Sequence, residues 1–206
     1  MAKKDSKIKA RRAIIGRRTA EVDIRGELNL DGTGKTQIVT PFEPLNHLLT
    51  VFAFHGYFDL KLSAKGDLEH HIIEDIGIAL GKAFKEALAD KAGISRYGCF
   101  TAVMDETAVE AAVDIGGRPH LQKVCGFILS LGNFDNTNFN YDKAEEFLKA
   151  FIQHAGISLV YIIKSSPDDL HHLLEALFKA LSKALEQATR IDPRRKGVPS
   201  TKGIID

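Results

Sequence analysis

Alternating polar and apolar positions predict strands near the start of the chain, and helical spacing follows them. Residues 20–30 alternate in polarity, which indicates a half-buried strand. A turn and a second short strand at 36–40 follow, so we expect a hairpin. The spacing becomes helical at 45–54, returns to a strand at 58–62, and keeps a 3.6-residue period over 69–89. The first half is therefore predicted to combine strands with two helices.

The second half of the chain repeats this order. Predicted strands lie at 99–104, 108–115, 121–127 and 157–163, and predicted helices lie at 141–154 and from about 166 to 189. We expect the last helix to start at Ser166-Pro167, because serine caps helices and proline suits the first helical position. A duplicated unit of strands and two helices predicts an α+β fold, with the helices packed on one face of a sheet in each half.

Matching positions in the two halves support this duplication. The His-His-x-x-Glu sequence that begins at His70 occurs again at His171, 101 residues later. Upstream the offset is 99, and it pairs His47 with Glu146. Chance matches of leucine and alanine do not easily create this motif twice. The chain is thus divided into a basic N-terminal arm at 1–17, a first half at 18–92, a second half at 93–190 and a C-terminal tail at 191–206.

Composition argues against several classes of protein. The 206 residues carry 28 Lys and Arg against 27 Asp and Glu, so neither nucleic acid nor an anionic membrane is an expected partner. No apolar run is long enough to span a bilayer. Residues 1–12 are basic and polar, unlike a secretory signal, and the two cysteines fit a reducing compartment. We therefore expect a cytoplasmic protein.

The repeated His-His-x-x-Glu motif carries the most informative chemistry. Each helical residue advances about 100°, so His70 and Glu74 lie one turn apart, and His71 also neighbours Glu74. One histidine can share an ion with the glutamate while the other reaches a second ion. Imidazole with carboxylate suits zinc, manganese, iron or nickel. Solvated surface histidines are the alternative, which the repetition disfavours. The candidate ligands of two divalent ions are His47, His70, His71, Glu74, Glu146, His171, His172 and Glu175.

Several further segments identify a family. They include HHIIED at 70–75, GISRYG at 93–98, MDE at 104–106, HHLLE at 171–175 and PSTKG at 199–203. In this order they resemble imidazoleglycerol-phosphate dehydratase, the lyase of histidine biosynthesis, over nearly the whole chain. The resemblance implies removal of water from imidazole glycerol phosphate to give imidazole acetol phosphate, with two manganese ions at each active site. It also implies a homo-oligomer of 24 subunits whose active sites lie between subunits.

The resemblance further implies roles for residues outside the metal motifs. Glu21 matches the family's acid or base, and His55 matches a histidine that assists proton transfer or binds substrate. The positions that match phosphate-binding residues of the family are Arg96, Arg118, Lys179, Ser200 and Lys202. Arginine suits this role because it grips phosphate with two parallel hydrogen bonds. We therefore expect a small phosphorylated imidazole as the substrate.

Departures from the family pattern keep alternatives open. Asn46 replaces the usual Asp, Val51 replaces a common Gln, Ile72 and Ile73 replace a polar pair, and Glu146 stands where many members have His. The loop before His70 is shorter than usual by about three residues. A metal-binding homologue with altered or lost catalysis is one alternative, and another dimetal hydrolase is the second. The presence of Glu21 and of the phosphate-binding set favours the dehydratase.

Overall fold

The computed structural model describes residues 10–128, 131–165 and 167–205, which form two four-stranded sheets with helices. The first half contains β1 (Arg12–Arg18), β2 (Val22–Asn29), β3 (Thr36–Val39), α1 (Glu43–Gly56), β4 (Asp59–Gly66) and α2 (Glu69–Leu88). The second contains β5 (Tyr97–Met104), β6 (Thr107–Asp114), β7 (His120–Cys125), a short 3-10 turn (Phe134–Asn136), α3 (Tyr141–Ala155), β8 (Ser158–Ile163) and α4 (Leu170–Thr189). The predicted α+β fold with a duplicated unit is confirmed.

The two sheets share one topology. Their strand orders are β1-β2-β4-β3 and β5-β6-β8-β7, and in each sheet the last two strands are parallel. Parallel neighbours need a crossover, which α1 supplies in the first half and α3 in the second. Each element thus has a counterpart in the other half.

The predicted hairpin between the first two sequence-derived strands was wrong. β3 pairs with β4 and not with β2, whose two edges are already occupied by β1 and β4. The intervening loop is fixed instead to the start of β4, because the backbone N–H groups of Thr33 and Lys35 donate to the Asp59 carboxylate at 2.8 and 3.1 Å. The turn residues suggested a local hairpin, whereas the strand actually forms a parallel pair with β4, which is distant in sequence.

The prediction of a basic arm at 1–17 was wrong for the part that forms β1. Ala13 and Ile15 point into the core while Ile14 faces outward, which is the alternation of a half-buried strand. Arg17 is also tied to the fold by an ion pair with Asp75 at 2.8 Å. The strand was not predicted because its several arginines made the segment look like a basic arm. Residues 1–9 lie outside the described part of the chain.

The helices of the two halves pack against each other between the sheets. α2 covers β1 and β2, and α4 covers β5 and β6, as predicted for helices on one face of each sheet. The halves then meet through two helix pairs, α2 with α3 and α1 with α4. The helices therefore form the interior, and the other face of each sheet looks outward.

Two glycines let α2 and α3 approach closely. A Cβ at Gly77 would lie 2.7 Å from the carbonyl oxygen of Phe147, and one at Gly81 would lie 2.6 Å from that of Phe151. Both contacts advance by four residues on each helix, so α2 and α3 run parallel. The backbones of α2 and α3 are therefore in direct contact. This close packing fixes which residues of the two helices lie side by side.

The start of α4 differs from the prediction at Ser166-Pro167. The helix begins at Leu170, and the Asp169 side chain caps it by accepting the backbone N–H of His171 at 2.6 Å. Aspartate and serine are equally good capping residues, so the sequence allowed a start at either position. The helix uses Asp169, the later of the two. Ser166 itself lies outside the described residues. Within the described residues, none of the helices has the length and apolar character that crossing a membrane requires.

Candidate metal centre

Helices α1 and α4 bring three ligand-type side chains together. The Nε2 atoms of His47 and His171 lie 2.7 and 3.1 Å from one carboxylate oxygen of Glu175. One ligand atom from each of the three residues lies within 4.8 Å of the others. The Glu175 side chain is only 12% exposed. Two imidazoles and one carboxylate that converge in this way form a sheltered site able to hold a metal ion.

Glu175 is ionised at neutral pH. Burial alone would raise its pKa, but Lys179, His47 and His171 hold the pKa at about 2. The Lys179 ammonium lies 2.6 Å from the second carboxylate oxygen, one helical turn away. Lys179 is one of the predicted phosphate-binding residues, and the structure brings it to this group.

The loop before α3 orients one of these histidines. The Nδ1 atom of His171 lies 2.8 Å from a carboxylate oxygen of Asp135, and the Phe134 ring stacks on the imidazole at 4.5 Å. A hydrogen bond at Nδ1 leaves Nε2 as the ligand atom, which is the usual arrangement around protein-bound metals. The donor set therefore fits a metal ion. Sequence reasoning missed Asp135 and Phe134, because nothing local marks them as neighbours of His171.

The second predicted ligand set lies on α2 and α3. The Lys143 ammonium contacts the Glu69 carboxylate at 2.7 Å, so the parallel register places Glu146 at the level of Glu74. The side chains of His70, Glu74 and Glu146 are exposed. Among the described residues, no second group has all its ligand atoms within 4.8 Å. These three residues therefore stay predicted ligands.

His71 lies beside the predicted acid or base. Its Nδ1 atom is 2.9 Å from the Asp67 carboxylate and 3.8 Å from that of Glu21. The hydrogen bond to Asp67 raises the pKa of His71. Glu21 precedes β2, and its side chain is 54% exposed. The structure thus brings Glu21 to the first histidine pair, whereas the contact from Asp67, in the shortened loop, was not expected from the sequence.

The second half of the chain has a corresponding arrangement, in which carboxylates surround His172 on α4. The Nδ1 atom of His172 lies 2.9 Å from the Glu106 carboxylate, and its Nε2 atom lies 3.4 Å from Asp105. Glu106 follows β5 in the turn to β6. Hydrogen bonds from its own backbone N–H and from that of Asp168 hold the pKa of Glu106 at about 2. Sequence reasoning assigned no role to either carboxylate.

His55 lines a cavity together with Lys179, the lysine that contacts Glu175. The cavity has a volume of about 510 Å³ and is lined by Phe54, His55, Tyr57, Phe100, Thr101, Ala102, Val103, Lys179 and Lys183. Burial lowers the pKa of His55, and the Lys179 charge lowers it further. His55 is therefore neutral at pH 7 and can accept a proton. Its catalytic role remains a prediction.

Arg96 lies at the opposite end of α4 from His171. Its backbone N–H donates to the carbonyl of Ala188 at 2.8 Å. Its guanidinium makes two hydrogen bonds to Asp114, at 2.6 and 3.0 Å, and one to the carbonyl of Pro199 at 2.9 Å. A rise of 1.5 Å per residue separates Ala188 from His171 by about 25 Å. The structure therefore joins Arg96 to the tail and not to the metal group.

Three other predicted phosphate-binding residues, Arg118, Ser200 and Lys202, also lie away from the metal group, whereas Lys179 lies beside it. The tail is held by a hydrogen bond from Gly93 N–H to the Gly197 carbonyl at 3.0 Å, and within it Ser200 Oγ accepts the backbone N–H of Lys202 at 3.2 Å. Arg118 is exposed between β6 and β7. Their contact with phosphate stays a prediction.

The departures from the family pattern have local explanations. The Asn46 amide accepts the backbone N–H of Thr40 at 2.9 Å and donates to its carbonyl at 3.2 Å. A carboxylate could not make the second bond, so asparagine closes this loop better. Val51, Ile72 and Ile73 are buried in the core, which explains their apolar character.

The fold and the three-residue group define a class of protein: an α+β chain of two similar halves, with a His/Glu site that can hold a metal ion. The family model for imidazoleglycerol-phosphate dehydratase matches residues 40–185. The chain belongs to this family, which confirms the predicted family and the predicted enzyme class, a hydro-lyase.

Individual relatives agree with this assignment. The imidazoleglycerol-phosphate dehydratase of Pelobacter propionicus is 50% identical over 198 residues, covering 95% of this chain and 99% of the relative. The crystal structure of the Staphylococcus aureus enzyme superposes with a TM-score of 0.77 at 33% identity, covering 88% of this chain and 99% of the other. That of the Pyrococcus furiosus enzyme gives the same TM-score and identity, covering 92% and 99%.

Proposed function

We propose that this chain catalyses the dehydration of imidazole glycerol phosphate to imidazole acetol phosphate, using two manganese ions per active site. The observation that supports the proposal most directly is the convergence of His47 and His171 on Glu175 in a member of this family. When bound, the ions supply Lewis acidity that stabilises the substrate's ring as an anion, so that the neighbouring hydroxyl can leave.

The ligands of the ions are proposed to come from both helix pairs. The α1–α4 pair offers His47, His171, His172 and Glu175, and the α2–α3 pair offers His70, His71, Glu74 and Glu146. The second set has one more carboxylate than the first, which favours the harder ions such as manganese over zinc.

The chain's own groups are proposed to move the protons. Glu21 is exposed beside His71, where its carboxylate can take the proton from the carbon next to the one that loses hydroxyl. His55, whose pKa burial lowers, is neutral and can accept or return a proton in the cavity beside Lys179.

The phosphate is proposed to be bound by residues of another subunit. Three carbons separate the ring of the substrate from its phosphate, far too few to span the roughly 25 Å along α4 between the metal group and Arg96. Arg96, Arg118, Ser200 and Lys202 of one subunit would therefore complete the site of another, while Lys179 lies close enough to serve its own. This supports a homo-oligomer, and the predicted 24-subunit assembly belongs to the same proposal.

The test is turnover of imidazole glycerol phosphate by metal-stripped protein after manganese, zinc or magnesium is added back. We expect manganese to restore turnover, and a Glu145→Gln variant, altered in a surface pair with Lys149, to behave like the wild type. Stoichiometric manganese binding without turnover would overturn the proposal in favour of altered catalysis. Hydrolysis of simple phosphate esters in place of dehydration would favour a dimetal hydrolase.

A further inference from the structure

The two halves place one glutamate each at the turn between their first two strands. Glu21 directly precedes β2, and Glu106 directly precedes β6, the counterpart of β2. Each carboxylate faces the second histidine of its half, with Oε2–Nδ1 distances of 3.8 Å for Glu21–His71 and 2.9 Å for Glu106–His172. The duplication has therefore produced two equivalent glutamate–histidine pairs.

The surroundings of the two glutamates differ. One Glu106 oxygen accepts the backbone N–H of Asp168 at 3.1 Å and the hydroxyl of Thr107 at 2.9 Å, and the other accepts Nδ1–H of His172. Its side chain is 30% exposed. Both oxygens are thus occupied by donors from three directions, and the carboxylate is fixed relative to the helix that carries His172.

Glu21 has no such constraint. Its side chain is 54% exposed, and among the described residues its carboxylate makes no side-chain hydrogen bond, because Asp67 occupies Nδ1 of His71 at 2.9 Å. A carboxylate without hydrogen-bond donors around it can exchange a proton with a substrate, whereas one that already accepts several hydrogen bonds must break one of them to do so.

We infer that the duplicated glutamates have diverged in role: Glu21 remains available for proton transfer, while Glu106 is a positioning residue that fixes the ring of His172 with Nε2 as its metal-binding atom. Its hydrogen bond at Nδ1 assigns the tautomer in the same way that Asp135 does for His171. This inference rests on the proposed function for the role of Glu21. For Glu106 it requires that His172 is one of the residues that bind Mn²⁺.

The two roles predict opposite effects of substitution. Glu106→Ala should weaken Mn²⁺ binding about 10–100-fold, as expected for loss of a group that orients a ligand, and saturating Mn²⁺ should restore kcat to within a few-fold of wild type. Thr107→Val keeps the carboxylate but removes one of its donors, so it should weaken binding in the same direction and by less. Glu21→Gln should leave Mn²⁺ affinity unchanged and lose kcat at every Mn²⁺ concentration.

The experiment titrates full-length, metal-stripped protein with Mn²⁺ in the absence of substrate and counts free Mn²⁺ by its EPR signal. Turnover is then measured across the same Mn²⁺ range. Glu110→Gln is the matched control, because Glu110 lies on β6, pairs with Lys164 and, within the described part of the chain, contacts no histidine. Wild-type Mn²⁺ affinity in both Glu106→Ala and Thr107→Val would overturn the inference, as would a kcat loss in Glu106→Ala that Mn²⁺ does not restore.

The design separates the two proposals. If the wild type binds Mn²⁺ but does not turn over imidazole glycerol phosphate, the proposed function fails, and the affinities of the Glu106 and Thr107 variants still decide the positioning role. If Glu106→Ala loses thermal stability, Thr107→Val, which is nearly isosteric, carries the comparison.

Discussion

Replacing Glu175 with glutamine in the metal-free protein should reduce stability in a pH-dependent way. Burial would raise the pKa of Glu175, but Lys179, His47 and His171 hold it at about 2, against an ordinary value of 4.5. At about 1.36 kcal/mol per pKa unit, the whole shift corresponds to about 3.4 kcal/mol. The side chain is 12% exposed, so solvent screening reduces this value, and we expect a loss of about 2–3 kcal/mol at neutral pH.

The pH dependence distinguishes this electrostatic effect from lost packing. Because the folded-state pKa of Glu175 is depressed, the carboxylate stabilises the fold fully above the unfolded-state pKa, and this contribution disappears as pH falls through the folded-state pKa. The difference in unfolding free energy between wild type and Glu175→Gln should therefore fall by more than half between pH 7 and pH 3. Urea unfolding with EDTA, followed by circular dichroism at one protein concentration, measures it.

A matched control defines the background of this measurement. Glu145 forms a helical surface pair with Lys149 at 2.7 Å, and Glu145→Gln should change stability by no more than about 0.5 kcal/mol. If Glu175→Gln loses the same stability at pH 7 and pH 3, or none at pH 7, the cluster does not stabilise an ionised carboxylate and the reasoning is refuted.

Three other substitutions test the remaining parts of the site. Glu146→His should raise Zn²⁺ affinity relative to Mn²⁺ on the order of ten-fold in a competition titration, and an unchanged preference would show that Glu146 is not a ligand. Gly77→Val should cost about 1–3 kcal/mol in urea unfolding, since even a Cβ there would lie 2.7 Å from backbone of α3; unaltered stability would mean that α2 and α3 separate freely. Asp114→Asn should raise KM about ten-fold with a smaller change in kcat, because it loosens Arg96 beside the tail, whereas an unchanged KM would separate Arg96 from substrate binding.

The sequence predicted the helices and the duplication well, and strand partners less well. Helical periodicity over many residues located α2 to within one residue of its ends, because its buried positions repeat regularly. The pairing of β3 was missed, since alternation identifies a strand but not its neighbour, and a nearby turn favoured β2 over the distant β4. β1 was missed because Arg12, Arg17 and Arg18 gave the segment a basic character, and only two of its residues are buried apolar positions.

The sequence predicted which residues belong to the candidate site but not which of them are in contact. The repeated motif identified His171 and Glu175 as candidates, and the structure places them close to His47. The carboxylates that contact the histidines could not be predicted, because Asp135 and Glu106 reach α4 from loops that are distant in sequence. Such contacts depend on tertiary packing, for which single-sequence periodicity contains no signal.

The separation of the metal group from the tail along α4 has a genetic consequence. A chain that lacks His171 and a chain that lacks Lys202 are each expected to be inactive alone. If every active site takes these residues from different subunits, mixed assemblies contain some sites in which both are intact. Co-expression of the two defective chains should then restore part of the activity, which is intersubunit complementation, and a chain carrying both substitutions should interfere with wild-type copies in the same assembly.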